Sequence, residues 1–153
     1  MGSTLSRVVG SNGGGGRRSA AAACALAAGA GAAWAALRAR PFRIAVEGGS
    51  MAPSLLPGDC LIATFPRGEV RRGAIVVVED PRAPGFELAK RVRGAAGDLA
   101  PDGRRLGPGE LWVEGDRTEA STDSRTFGAV GRKAIRGVVR LRYWPPGRIG
   151  VPR

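Results

Sequence analysis

Ser50 sits in Gly48-Gly49-Ser50-Met51-Ala52-Pro53, in a chain that contains no histidine. A nucleophilic serine needs a base to take its proton, and the commonest base, imidazole, is missing. That excludes a Ser-His-Asp triad and any His-ligated metal site. Arginine stays protonated at ordinary pH, so no guanidinium can accept the proton. Among the 24 Lys and Arg residues, only Lys90 and Lys133 are lysines. The bases open to Ser50 are therefore Lys90, Lys133 or a carboxylate, and a serine–lysine pair is a known variant of triad chemistry.

Lys90 lies in Phe86-Glu87-Leu88-Ala89-Lys90-Arg91-Val92. Period-two alternation puts Phe86, Leu88, Lys90 and Val92 on one face of a strand, with Glu87, Ala89 and Arg91 on the other. Lys90 is thus the charged residue on the apolar side. Burial there disfavours the ammonium and lowers the lysine pKa. A base active near neutrality must titrate about 3 pH units below the ordinary lysine value of about 10.4. The plainer alternative is a lysine that snorkels past its neighbours to water. Lys133, in Gly131-Arg132-Lys133, has no apolar surroundings and reads as a solvated loop residue.

Gly48 and Gly49 allow a tight, exposed turn and close backbone approach to a substrate. The N–H of Ser50 on such a turn can face a developing oxyanion. The bland reading is a Gly-Gly-Ser hinge after a strand. A third segment, Glu114 to Val130, is polar and rich in hydroxyls, with Asp123 and Arg125 spaced to pair. It reads as a capped loop tied by a salt bridge, and equally as a loop that holds a hydroxyl against a neutral amine.

These segments need rigid elements to bring them together, and the sequence supplies strands. Runs at Phe42–Glu47, Cys60–Phe65, Ala74–Glu79, Phe86–Val92, Leu111–Glu114 and Ile135–Tyr143 are separated by Gly, Pro and Asp turns. Short strands closely spaced by turns predict an all-β sandwich or barrel-like fold. No amphipathic helix is expected after residue 41.

The N-terminal part differs. Residues 1–18 read as a flexible basic tail, in which four consecutive glycines oppose helix formation. Residues 19–38 are an Ala-rich, apolar segment between arginines. The uncharged stretch 19–37 is about 28 Å long as a helix, close to the roughly 30 Å hydrocarbon core of a bilayer. It is read as a transmembrane signal anchor, with a cleaved leader or a soluble arm as alternatives. Residues 41–153 hold the strands and all three candidate segments, so any catalytic domain lies there. The net charge is +11. The basic N-terminal segment suits an anionic membrane surface. Nucleic acid is not an expected partner, because no recognition motif and no aromatic residues interleave with the arginines. Cys24 and Cys60 read as buried free thiols, and without His or CxxC a zinc site is not expected.

Taken together, the three segments resemble the type I signal peptidases, the membrane-bound Ser-Lys endopeptidases. Ser50-Met51-x-Pro53-x-Leu55 resembles the nucleophile box of that family. Lys90-Arg91-Val92-x-Gly94-x-x-Gly97-Asp98 resembles the box carrying the base. Gly115-Asp116 followed by Ser121-x-Asp123-Ser124-Arg125-x-Phe127-Gly128-x-Val130 resembles its last box. The resemblance implies a compact β domain with one N-terminal apolar helix and no metal or organic cofactor. It implies that Ser50 attacks the scissile carbonyl and that neutral Lys90 takes its proton. Ser121 would orient the Lys90 amine, Asp123 and Arg125 would brace the loop, and Met51 would line the substrate groove beside Gly48 and Gly49. The implied partner is a precursor protein carrying an N-terminal signal or pro-peptide, cut after small residues. The implied location is a membrane, single-pass, with the catalytic domain on the non-cytoplasmic side; it would be cytoplasmic if the Ala-rich segment does not insert.

Three departures mark this chain. Gly48 stands where the family often has a hydroxyl that completes the oxyanion hole. Gly115-Asp116-Arg117 replaces Gly-Asp-Asn. Only 39 residues separate Ser50 from Lys90, so accessory subdomains are absent. This compact form is more similar to the mitochondrial inner-membrane peptidases, or to the maturation proteases of nickel superoxide dismutase. Two other readings compete: a self-cleaving repressor-type Ser-Lys protease, and a non-catalytic β domain that binds membrane or an acidic partner. The first should bring a DNA-binding helical domain, which residues 1–40 do not supply.

Overall fold

Ile75-Val76-Val77-Val78 is a continuous β-branched run, the composition of a strand covered on both faces. The computed structural model describes residues 40–153, and there this run is the centre of the molecule. Its strand, Ile75–Glu79 (β3), buries Val76 and Val78 in one apolar cluster and Ile75 and Val77 in a second. Burying each such side chain contributes roughly 1.5–3 kcal/mol. The basic tail 1–18 and the apolar segment 19–38 lie outside the described residues.

Around β3 run Phe42–Ala45 (β1), Cys60–Thr64 (β2), Glu87–Gly94 (β4), Glu110–Glu114 (β5), Val130–Gly131 (β6) and Ile135–Trp144 (β7). They form one antiparallel sheet in the order β1-β2-β7-β3-β4-β5-β6. The all-β expectation holds, and each of the six apolar runs overlaps a strand, with β4, β5 and β7 reaching one or two residues beyond theirs. β1 is shorter than its run, although Val46 still exchanges backbone hydrogen bonds with Gly58 and Asp59. The two-residue β6 was not expected, because Val130-Gly131 offers no alternating pattern to read. The one-turn helix Ser124–Phe127 (α1) also goes beyond the sequence reading, and its N-cap is Asp123.

β7 is the long connector. Its first half pairs with β3 and its second half with β2, with register shifts at Cys60/Leu61, Ile62/Ala63 and Val77/Val78. Such bulges bend and twist a strand, which lets one strand serve both neighbours. Gly137 of β7 lies under the Phe42 ring; a Cβ there would sit 2.5 Å from the ring. No helix among the described residues is long and apolar enough to cross a membrane. Cys60, expected to be buried, is a half-buried free thiol, because it opens β2 at the sheet margin. Cys24 lies outside the described residues.

Candidate active site

Lys90 sits in the middle of β4, directly opposite Val76 of β3. Leu88 and Val92, two residues to either side, pack in the larger apolar cluster, whereas Ala89 packs in the other. Lys90 is 1% exposed, so it does not snorkel to water. The alternation fails at Phe86, which precedes β4 and is 60% exposed. Burial pushes the Lys90 pKa below its ordinary value. The nearby Asp123 carboxylate opposes that change and the Arg125 guanidinium adds to it. The Lys90 Nζ lies 2.9 Å from Ser50 Oγ and 3.0 Å from Ser121 Oγ. Lys133 is exposed, in a 3-10 turn.

The segment between β5 and β6 is built around Asp123. Its side chain is fully buried, yet it is anionic. Burial alone would raise its pKa, but hydrogen bonds from Arg125, Ser121 and two backbone N–H groups hold it well below the usual carboxylate range. Arg125 donates from Nε to Oδ1 at 2.9 Å and from a terminal nitrogen to Oδ2 at 2.6 Å. Gly115 N–H donates to Oδ2 at 2.9 Å. Ser124 Oγ in turn accepts the Val113 N–H of β5, which seats α1 on the sheet.

The nucleophile loop, Gly48 to Asp59, has few strand bonds of its own and is fastened by arginines. Arg91, on the opposite face of β4 from Lys90, clamps Asp116 with bonds of 2.7 and 2.6 Å and donates to Ser54 Oγ at 2.9 Å. The backbone N–H of Arg117 donates to the Ser50 carbonyl at 2.9 Å. From the chain's end, Arg142 and Arg148 converge on the buried Asp59 and on the carbonyls of Pro53 and Ser54. Sequence reading missed these fasteners. Asp59 read only as part of a Pro-Gly-Asp turn, and the pairing of Arg91 with Asp116 carries no local signal.

Gly115 is also part of the site. A Cβ built there would lie 2.2 Å from Ser121 Oγ and 2.6 Å from the Ser50 carbonyl oxygen. Only a residue without a side chain lets the two loops close on Lys90. By contrast, a Cβ at Gly48 or Gly49 would meet nothing within 4 Å. Gly48 lines a cleft of about 300 Å³ beside Ser50, whereas Gly49, expected there too, is not part of its lining. Its lining includes the buried Met51 and Val77 and the half-buried Ile44 and Leu88. Among the described residues, no group of His, Cys, Asp and Glu is arranged to hold a metal ion.

The arrangement is a buried amine in contact with a half-buried serine hydroxyl at the edge of an apolar cleft, held by two braced loops. Comparison with known proteins shows the family. The sequence matches the family described as "Signal peptidase, peptidase S26" over residues 17–100 and 99–144, and the chain belongs to that family. It is 38% identical over 120 residues to the mitochondrial ATP-independent inner membrane protease subunit 1a of Arabidopsis thaliana, covering 69% of this chain and 71% of that one. It is 39% identical over 117 residues to the mitochondrial inner membrane protease subunit 2 of Danio rerio, covering 67% and 64%. A third relative, subunit 1 of Xenopus tropicalis, is 34% identical over 111 residues, covering 65% and 66%. The chain thus spans about two thirds of the length of these relatives.

Proposed function

We propose that residues 41–153 form a serine endopeptidase with a Ser50–Lys90 dyad, which removes N-terminal signal or pro-peptides from precursor proteins after small residues. One observation carries this reading. The one lysine buried in the described core touches the one serine that opens onto the adjoining cleft, at 2.9 Å.

The chemistry follows from the contacts. Ser50 Oγ attacks the carbonyl carbon of the scissile bond while uncharged Lys90 Nζ takes the hydroxyl proton. The carbonyl oxygen becomes an oxyanion beside the Ser50 backbone N–H. Collapse of that adduct breaks the C–N bond, and Lys90 passes its proton to the departing amine. An ester to Ser50 remains. Water, deprotonated by the same amine, hydrolyses the ester and regenerates the hydroxyl. Burial of Lys90 supports the first step, because a protonated amine could not act as base. Ser121, Asp123 and Arg125 act through Lys90, as positioning residues. Met51 and Gly48 line the substrate's path. The names of the relatives favour action at a membrane, with the 19–38 segment as the anchor.

The test incubates purified full-length protein with candidate precursors and sequences the new N-termini. Wild type should produce one defined cut following a small residue, and Ser50→Ala and Lys90→Arg should produce none. An active Lys90→Arg protein would defeat the mechanism, since guanidinium cannot take the proton.

A further inference from the structure

The cleft beside Ser50 has a charge opposite to that of the molecule. The chain carries a net charge of +11, yet the cleft lining contains two carboxylates, Glu47 and Glu87, and neither lysine nor arginine. Both acids are exposed. Glu87 has a loose pairing with Arg136, at 3.9 Å, and Arg136 also bonds Glu79. Glu47 makes no side-chain hydrogen bond and no ion pair among the described residues. The nearest arginine in sequence, Arg43, is stacked over Tyr143.

Position along the chain says where these charges act. Ile44 and Val46 turn inward and pack in the second apolar cluster, so Ala45 and Glu47 turn outward. Glu47 stands three residues before Ser50, at the reactive end of the cleft. Glu87 opens β4 three residues before Lys90, about 10 Å along the strand, beside the exposed Phe86. A peptide extended through the cleft alternates its side chains between the floor, at Met51 and Val77, and the mouth. Floor-facing positions meet a tight apolar surface. Mouth-facing positions meet the two carboxylates.

We infer that Glu47, with Glu87 further along, is a specificity determinant that favours arginine or lysine at the outward-facing positions of the substrate. This rests on the proposed peptidase reading, to which we add that the residues before the cut lie extended in the cleft, with the first and third, the small ones, facing its floor. The outward positions are then the second and the fourth before the cut, with Glu47 closest to the second. The preference works partly by exclusion, because an acidic side chain there would lie against the unpaired Glu47 carboxylate, with Glu87 only loosely offset by Arg136.

The experiment uses the full chain and a peptide spanning a bond that wild type cuts, with Arg, Ala or Asp as the second residue before that bond. Wild type should cleave the Arg peptide with a kcat/KM roughly five- to tenfold above the Asp peptide at low ionic strength, the scale of exposed charge pairs. The ratio should shrink in about 0.5 M salt, where such charges are screened. Glu47→Gln should flatten it and Glu47→Arg should invert it; neither change removes a contact from the folded chain. Equal kcat/KM for the Arg and Asp peptides, or a ratio that Glu47→Arg leaves unmoved, overturns the inference while the peptidase reading stands. Absence of any Ser50-dependent cleavage overturns both.

Discussion

The Ser121 hydroxyl donates its single proton to Asp123 Oδ2 across 2.7 Å. A hydroxyl already donating can only accept from the second neighbour, the Lys90 amine at 3.0 Å. One Lys90 N–H is therefore assigned to Ser121. In the uncharged amine this leaves the lone pair free to turn toward Ser50, 2.9 Å away. The carboxylate is locked by Arg125 and the Gly115 N–H, so the whole chain of bonds has one sense. In the proposed mechanism, Asp123 would set the direction in which a proton can leave Ser50, without touching Ser50 itself.

Ser121→Ala removes that acceptor and lets the amine rotate. We expect kcat to fall by roughly 10- to 100-fold, part of the roughly 100- to 10,000-fold that a positioned base contributes, with KM changed less than about twofold. Steady-state kinetics on a cleavable precursor peptide would measure both. An unchanged kcat would remove the orienting role.

Arg125→Gln tests the electrostatic balance at the amine. Asp123 raises the Lys90 pKa and Arg125 lowers it. Without Arg125 the carboxylate acts uncompensated, the Lys90 pKa rises, and more of the amine is protonated at neutral pH. The acidic limb of the kcat/KM profile should move to higher pH, and a limb that stays in place counts against the argument.

Lys90→Met should be inactive yet more stable than wild type in neutral solution. The folded-state Lys90 pKa is depressed by burial, so the unfolded chain binds the extra proton more readily. Wild-type stability therefore rises with pH between the lowered folded-state pKa and the unfolded value near 10.4, by up to about 1.4 kcal/mol for each pH unit crossed in that window. Methionine carries no such penalty. Its advantage should be largest at low pH and should shrink as pH approaches 10. Urea midpoints at several pH values would show this; an advantage that grows with pH would be the wrong sign.

Two glycines should behave oppositely. Gly115→Ala forces a methyl against Ser121 and the Ser50 carbonyl; we expect a loss of about 1–3 kcal/mol and a collapse of activity. Gly48→Ala meets nothing within 4 Å, and its stability should stay within about 0.5 kcal/mol of wild type. Thermal melts of the pair would decide it, and equal losses would mean that the close approach at Gly115 is relieved cheaply.

Much of the fold was legible because its signals are local. Alternation in Leu88-Ala89-Lys90-Arg91-Val92 announced a strand with a lysine on the apolar side, and the Val run announced a strand, though not that both its faces are covered. Phe86 misled, since period-two reasoning assumes the strand continues, whereas the chain leaves the sheet before Glu87. The fasteners of the nucleophile loop were invisible for a related reason. Arg91 finds Asp116 25 residues away and Ser54 37 residues away, and Arg142 and Arg148 reach back to Asp59 across more than 80 residues.

Residue types alone settled what chemistry was open. A chain without imidazole, with two lysines and with Ser50 on a glycine turn narrows the choice of base before any coordinate is known. Whether Lys90 is dry, which hydroxyl holds it and which way that hydroxyl points were decided only by the packed fold. Desolvation and hydrogen-bond direction depend on neighbours that arrive from β3, from the Ser50 loop and from the Asp123 loop, and no local pattern encodes that meeting. The same holds for Glu47, an ordinary acid in the sequence that folding leaves at the mouth of a cleft in a strongly basic protein.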